Sequence, residues 1–281
     1  MSEPVRAVLR LDELPKVRLA GEGNFLYKVP FGDGHVVVKI YRGTRSAFLY
    51  LKKTFGNVCI TGRTSHMPRA RQRTETDCIR AWESHGFRCF RMHPEIEVEG
   101  VDRDLYMVFE FAPGRHFRDW FRDESVPLPE RLQTWRKFIP EWHRRHRIAV
   151  ETSDPRLIHE NGDVKHVMLW EGGFLYFDFE MLYRSRNVRL LVGREILAYM
   201  RSVGRFFGPE MYERLMDLLV EHYPDKALLL AAFDVTWRHP NPFLRLARCL
   251  DRLKPGNRKR FSKYNVALDL RRRLDRASIA D

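Results

Sequence analysis

His159-Glu160-Asn161-Gly162-Asp163-Val164-Lys165-His166-Val167-Met168-Leu169, followed shortly by Phe177-Asp178-Phe179-Glu180, is the stretch that decides the fold. Val167 to Leu169 and Phe174 to Phe179 are short apolar runs separated by Glu171-Gly172-Gly173, which predicts two strands joined by a turn. A polar loop precedes the first strand, and an acid, Asp178, stands near the end of the second. That order suits a Mg²⁺–nucleotide site. The metal takes hard oxygen ligands together with substrate phosphates, and an attacking hydroxyl needs a carboxylate to orient it and accept its proton. Taken alone, Asp178 is equally an ordinary acid at a strand end.

Upstream, residues 24 to 41 predict a β-hairpin: Asn24 to Val29, a turn at Gly32-Asp33-Gly34, then Val36 to Tyr41. Lys39 lies inside the second, otherwise apolar strand, where a cation is costly to bury without an anionic partner. On an edge strand the same lysine would simply point to water. Gly21-Glu22-Gly23-Asn24-Phe25 precedes the hairpin; glycines there let backbone N–H groups approach a phosphate, and equally let a plain turn form. Residues 42 to 72 are basic and read as a loop with short helical pieces. A helix is predicted from near Arg73 to His85-Gly86, and it carries Glu75, an acid able to pair with Lys39. Glu95 to Val98 and Leu105 to Phe111 predict strands, the second running through Glu110 into Ala112-Pro113-Gly114. Helices are predicted over 128–148 and 187–223, with further helical segments over 229–276 broken at Pro240, Pro242 and Pro255. A strand-rich first third thus meets a helix-rich remainder. The expected class is α+β, with a first domain over 1–111 and a second over 112–281.

These features, in this order, resemble the protein-kinase-like superfamily. The similar branch holds the lipopolysaccharide-core Kdo and heptose kinases and the aminoglycoside and choline phosphotransferases. The resemblance covers residues 20 to 200 or so. It implies a bilobal fold with ATP and Mg²⁺ as cofactors. Gly21 and Gly23 would belong to the glycine loop, Lys39 would be the ATP lysine and Glu75 its helix partner. Met107 to Gly114, with Glu110, would be the hinge, and Asp178 the metal-binding aspartate in an Asp-Phe-Glu version of the motif that reads Asp-Phe-Gly in protein kinases.

The chain departs from the pattern in its catalytic loop. Counted from His159, the position of the catalytic aspartate holds Asn161, and the position of the metal-ligating asparagine holds His166, as also occurs among heptose kinases. In this register Asn161 lies 17 residues before Asp178. The rival register takes Gly162-Asp163 as the Gly-Asp of the aminoglycoside-kinase loop, which restores a carboxylate but shortens the loop by two residues. Three readings stay open: Asp163 serves as the base; Asn161 marks an impaired pseudokinase with a regulatory role; or the asparagine is an isosteric inactivating replacement.

Composition bounds the partners. The net charge of +13 is clustered between Arg42 and Arg73 and again from Lys254 to Arg273, as suits nucleic acid, an anionic membrane surface or a phosphorylated substrate. No helix-turn-helix, zinc or RNA-recognition signature accompanies it, so a nucleic-acid-binding protein is the lesser reading. An anionic sugar or glycolipid acceptor fits this charge, whereas a cationic aminoglycoside would be repelled. No segment ending in Ala-Pro-Glu follows Asp178, against a protein substrate. Phe261, Tyr264, Val266, Leu268, Leu270 and Leu274 interleave the basic residues of the tail, either as a core-facing stripe or as a peripheral membrane contact. The four cysteines show no metal spacing and read as reduced, buried thiols. With no secretory signal or membrane-spanning run legible, the expected location is the cytoplasm or the cytoplasmic face of the inner membrane.

Overall fold

The computed structural model of the chain describes residues 7–20, 23–238, 246, 250, 253 and 255–280. It has a mixed α+β architecture, rich in strands early and in helices late. The chain divides into two units: Met1–Gly114 with Leu175–Arg184, and Arg115–Phe174 with Ser185–Asp281. The segment carrying Asp178 and Glu180 therefore belongs to the first unit.

In the first unit β1 (Ala7–Leu9) pairs in parallel with β5 (Ile96–Val98). β2 (Val17–Ala20), β3 (Phe25–Phe31), β4 (Gly34–Ile40) and β6 (Tyr106–Glu110) form an antiparallel sheet in that order. The hairpin turns at Gly32, whose φ of 56° suits a residue without a Cβ. Lys39 stands opposite Leu26 on β3 and Met107 on β6, so its strand is internal and an outward edge position is ruled out. Side chains alternate along a strand. Val36 and Val38 accordingly enter an apolar core with Leu9, Val29, Ile96, Val98, Tyr106 and Val108, while Lys39 and Tyr41 share the other face.

The basic stretch after this hairpin is more regular than its composition predicts. α1 (Ala47–Phe55) is capped by Ser46, which accepts from the Leu49 N–H at 3.4 Å, and continues into a π-helical turn over Gly56–Thr61. α2 (Pro68–Ser84) begins five residues before the predicted start at Arg73. Proline at the first helical position costs no hydrogen bond there. Gly86, with φ 73°, follows the end of α2 as expected. Buried Trp82 packs on Phe87, Tyr176 and Phe179 with ring centroids 5.9, 4.9 and 4.6 Å away. Leu175–Arg184 is further tied by the Thr64 and Arg184 N–H groups, which donate to the Leu182 and Gly62 carbonyls, both at 2.8 Å.

The second unit contains β7 (Arg115–His116), α3 (Phe117–Arg122), α4 (Leu128–Thr152), β8 (Val167–Trp170), β9 (Gly173–Tyr176), α5 (Val188–His222), α6 (Lys226–Trp237), α7 (Gly256–Arg260) and α8 (Lys263–Ala280). The last residues of β9 lie in the first unit. The aromatic core holds Phe117, Trp135, Phe138, Trp142 and Tyr199, all fully buried. α5 breaks at Gly208, φ 79°, just before Pro209. Asp225 caps α6 by accepting from the Leu228 N–H at 3.0 Å.

The tail resolves toward the core. Phe261, Tyr264, Val266, Leu270 and Leu274 are buried, and α8 packs on α5 and α6, so these apolar positions are not available to a bilayer. α7 begins just after Pro255; the breaks expected at Pro240 and Pro242, and Lys254, lie outside the described residues. Cys78 and Cys89 are buried, but Cys59 is exposed, against the expectation that all are buried; Cys249 lies outside the described residues. Among the described residues no helix is long and apolar enough to cross a membrane.

Candidate active site

β4 and α2 bring four polar side chains together by their own periodicities. Lys39 and Tyr41 lie two residues apart on one face of an extended segment, and Arg71 and Glu75 lie four apart on one face of a helix. Lys39 Nζ is 2.6 Å from Glu75 Oε2 and 2.7 Å from Glu180 Oε1. Arg71 Nη1 donates to Glu180 Oε2 at 2.8 Å and to Asn24 Oδ1 at 2.7 Å, and Arg71 also donates to the Tyr41 carbonyl. The Tyr41 hydroxyl donates to Glu75 Oε2 at 2.5 Å, and the Asn24 amide donates to Glu180. Lys39, Arg71 and Glu75 are buried. Burial alone would lower the pKa of Lys39, but Glu180, Glu75 and Asp178 outweigh it and hold the ammonium above its ordinary range. Burial pushes Glu75 upward against the pull of Lys39.

The two cations and two carboxylates of this cluster balance one another. Asp178, half-buried and close enough to act on Lys39, adds a further negative charge. Its φ of 73° is in the left-handed region, unusual for a residue with a Cβ. Among the described residues no group of three or more His, Cys, Asp or Glu is placed to hold a metal. A carboxylate beside a charge-balanced lysine nonetheless fits Mg²⁺, which is bound through one or two carboxylates with phosphate and water completing its shell.

In the second unit the loop 159–166 rests on a buried ionic network. Glu195 on α5 accepts from Arg145 through both oxygens, from Trp142 Nε1 at 2.9 Å and from the His159 N–H at 2.8 Å. Burial would raise the Glu195 pKa, but Arg145 and His146 hold it well below the carboxylate range. His146 is itself lowered to about 4, chiefly by burial. His159 Nδ1 meets the Tyr199 hydroxyl at 2.9 Å. Gly162 is required here: a Cβ would stand 2.8 Å from the Tyr199 ring.

Within the loop the predicted residues have different surroundings. Asn161 is exposed, and its carbonyl accepts from His166 Nδ1 at 2.9 Å. Asp163 is buried; Oδ1 accepts from the Lys165 N–H at 3.0 Å, and Oδ2 pairs with Arg205 at 2.9 Å. His166 is buried and belongs to the second unit, Asp178 to the first. Glu110 ends β6, where Oε1 accepts from the Arg91 N–H at 3.0 Å. Gly23 accepts at its carbonyl from Arg71 Nη2 at 3.4 Å, while Gly21 lies outside the described residues.

Sequence reasoning gave no role to Glu180, Arg71, Tyr41 or Asn24 in the first unit, nor to Glu195 and Arg145 in the second. The i,i+4 spacing of Arg71 and Glu75 and the i,i+2 spacing of Lys39 and Tyr41 were available signals. Nothing local marks Glu180 as the partner of a lysine 141 residues earlier.

No family model and no curated protein matches this sequence. Among solved structures the chain is similar to WaaP in complex with acyl carrier protein, at a TM-score of 0.41 and 11% identity, over 94% of this chain and 90% of that one. It is also similar to the Rio2 kinase–ADP/Mg²⁺–phosphoaspartate complex from Chaetomium thermophilum, at a TM-score of 0.42 and 14% identity, over 94% of this chain and 71% of that one.

Proposed function

We propose that this chain is an ATP-dependent phosphotransferase of the protein-kinase-like kind, acting on a hydroxyl of an anionic sugar or glycolipid such as the lipopolysaccharide core. The observation that carries the reading is Lys39 on an internal strand, held between Glu75 and Glu180 with Asp178 in range. A buried lysine so placed is positioned for anion chemistry, and the sequence offers the phosphates of a nucleotide as that anion. Mg²⁺–ATP, when bound, supplies the phosphoryl group and the metal's charge. Asp178 would hold the metal, Lys39 would meet the phosphates, and Gly21 and Gly23 would let backbone N–H groups approach them. Asn161, exposed on its loop, would orient the acceptor hydroxyl by hydrogen bonding without taking its proton. That amide is also the observation favouring a pseudokinase.

In a thermal-shift titration, Mg²⁺–ATP is expected to raise the melting temperature through linkage, and Lys39→Ala should remove most of that response. No shift at millimolar nucleotide in the intact protein sinks the reading.

The proposed location is the cytoplasmic face of a membrane, in keeping with a membrane-presented acceptor. With the tail stripe buried, α1 and its continuation offer an apolar contact, where Phe48, Leu51, Phe55 and Ile60 are 75%, 60%, 64% and 75% exposed beside Lys52. Co-sedimentation with anionic vesicles is expected to weaken with salt and on Phe48→Ser with Phe55→Ser. Binding unaffected by that double substitution rules out α1 as the contact.

A further inference from the structure

Positive charge gathers beside Gly23 that the described carboxylates do not balance. The Arg45 guanidinium lies against the glycine backbone, so close that a Cβ there would stand 2.9 Å from Nη1. Arg45 Nη1 is 3.4 Å from His66 Nε2. His66 is held in place: its main-chain N–H donates to Thr54 Oγ1 at 3.1 Å, and its ring lies 6.0 Å from that of Tyr50. The Arg71 guanidinium is 5.6 Å from the Tyr50 ring and reaches the Gly23 carbonyl. Lys53 follows Tyr50 by three residues on α1, placing it one turn along the same side.

These groups act on one another. Burial first, then Arg45 and Arg71, lowers the Lys53 pKa. Burial, then Arg71, Lys53 and Arg45, outweighs the opposing pull of Glu180 and brings His66 to about 4. Lys39 and Arg71 are matched by Glu75 and Glu180. Among the described residues, no carboxylate pairs with Arg45 or Lys53. Like charges held together without a counter-charge cost free energy that an anion would recover.

We infer that Arg45 and Lys53, with His66 beside them, form an anion site at Gly23 that takes the phosphate chain of the nucleotide. The inference rests on the nucleotide reading above and extends it, since Lys39 alone, already matched by two carboxylates, offers little net charge to a polyphosphate. A guanidinium presents its planar fork to phosphate oxygens, and the lysine adds a mobile point charge.

Calorimetry on the full chain separates the two ideas, with inorganic tripolyphosphate, adenosine and ATP as probes. The wild type is expected to bind tripolyphosphate, and ATP is expected to displace it. Arg45→Gln and Lys53→Gln should each weaken tripolyphosphate binding about tenfold, as for a lost charge-assisted hydrogen bond, while adenosine binding stays unchanged. Melting without ligand checks that both variants fold. Adenosine binding with no tripolyphosphate binding, or tripolyphosphate binding indifferent to both substitutions, overturns the anion site and leaves the nucleotide reading standing. Tripolyphosphate binding that needs both cations but is not displaced by ATP overturns the assignment to the nucleotide and gives the site to a phosphate of the acceptor. Failure of both ATP and adenosine to bind refutes the nucleotide reading itself, and this inference with it.

Discussion

Asn161→Asp is expected to raise acceptor-dependent ATP consumption by about 10²- to 10⁴-fold, the range that a general base contributes. An amide can orient a hydroxyl but cannot accept its proton at neutral pH, whereas the isosteric carboxylate can do both. The substitution leaves the loop's internal support in place, because His166 holds Asn161 through its main-chain carbonyl. Asp163 is expected to matter far less to turnover. Its oxygens already serve the Lys165 N–H and Arg205, and Asp163→Asn keeps an oxygen for the first of these. The measurement is one assay on three proteins. A silent Asn161→Asp beside a damaging Asp163→Asn would move the base to Asp163. If neither substitution changes turnover while nucleotide still binds, the enzyme reading gives way to the pseudokinase one.

Glu195→Ala is expected to destabilise the second unit by about 3–5 kcal/mol, the cost of leaving a buried cation without its counter-charge. The carboxylate serves Arg145, Trp142 and the His159 N–H at once, and His146 Nε2 lies 3.3 Å away, so removing it strands several buried donors together. Urea unfolding followed by tryptophan fluorescence reads this directly, since Trp135 and Trp142 lie in the same core. If Glu195→Ala does not fold, Glu195→Gln provides the measurement, because it fills the same volume and keeps one acceptor oxygen, for Trp142 or for the His159 N–H, but not the charge. A loss below about 1 kcal/mol in either variant would mean the network is not what supports the loop.

The hairpin at Gly32, the helix ending before Gly86 and the long helices from Leu128 and Val188 were legible because each couples a simple period to a local stop signal. α1 was not. Its apolar residues Phe48, Leu51 and Phe55 do recur at helical spacing, but they face outward among basic neighbours, and only Tyr50 turns into the core. The early start of α2 was hidden by Arg69, Arg71 and Arg73, which read as a solvated run although Arg71 is buried. Lys39 and Glu75 could be paired from the family order of motifs. Glu180 and Arg71 could not, nor could Arg145 and Glu195, because partners so far apart in sequence carry no period in common.

The return of Leu175–Arg184 to the first unit bears on how the protein is made. A ribosome that has delivered residues as far as Gly114 has released Lys39, Glu75 and Arg71, but not Glu180. All of Arg115–Phe174 must be synthesised before that carboxylate can reach the lysine and arginine it pairs with. Closing so long a loop carries an entropic cost and slows assembly of the unit. The N-terminal segment therefore emerges with its ionic interior incomplete and cannot finish folding domain by domain in chain order. Fragments ending near residue 114 would inherit the same defect, lacking the Glu180 carboxylate that pairs with Arg71 and Lys39.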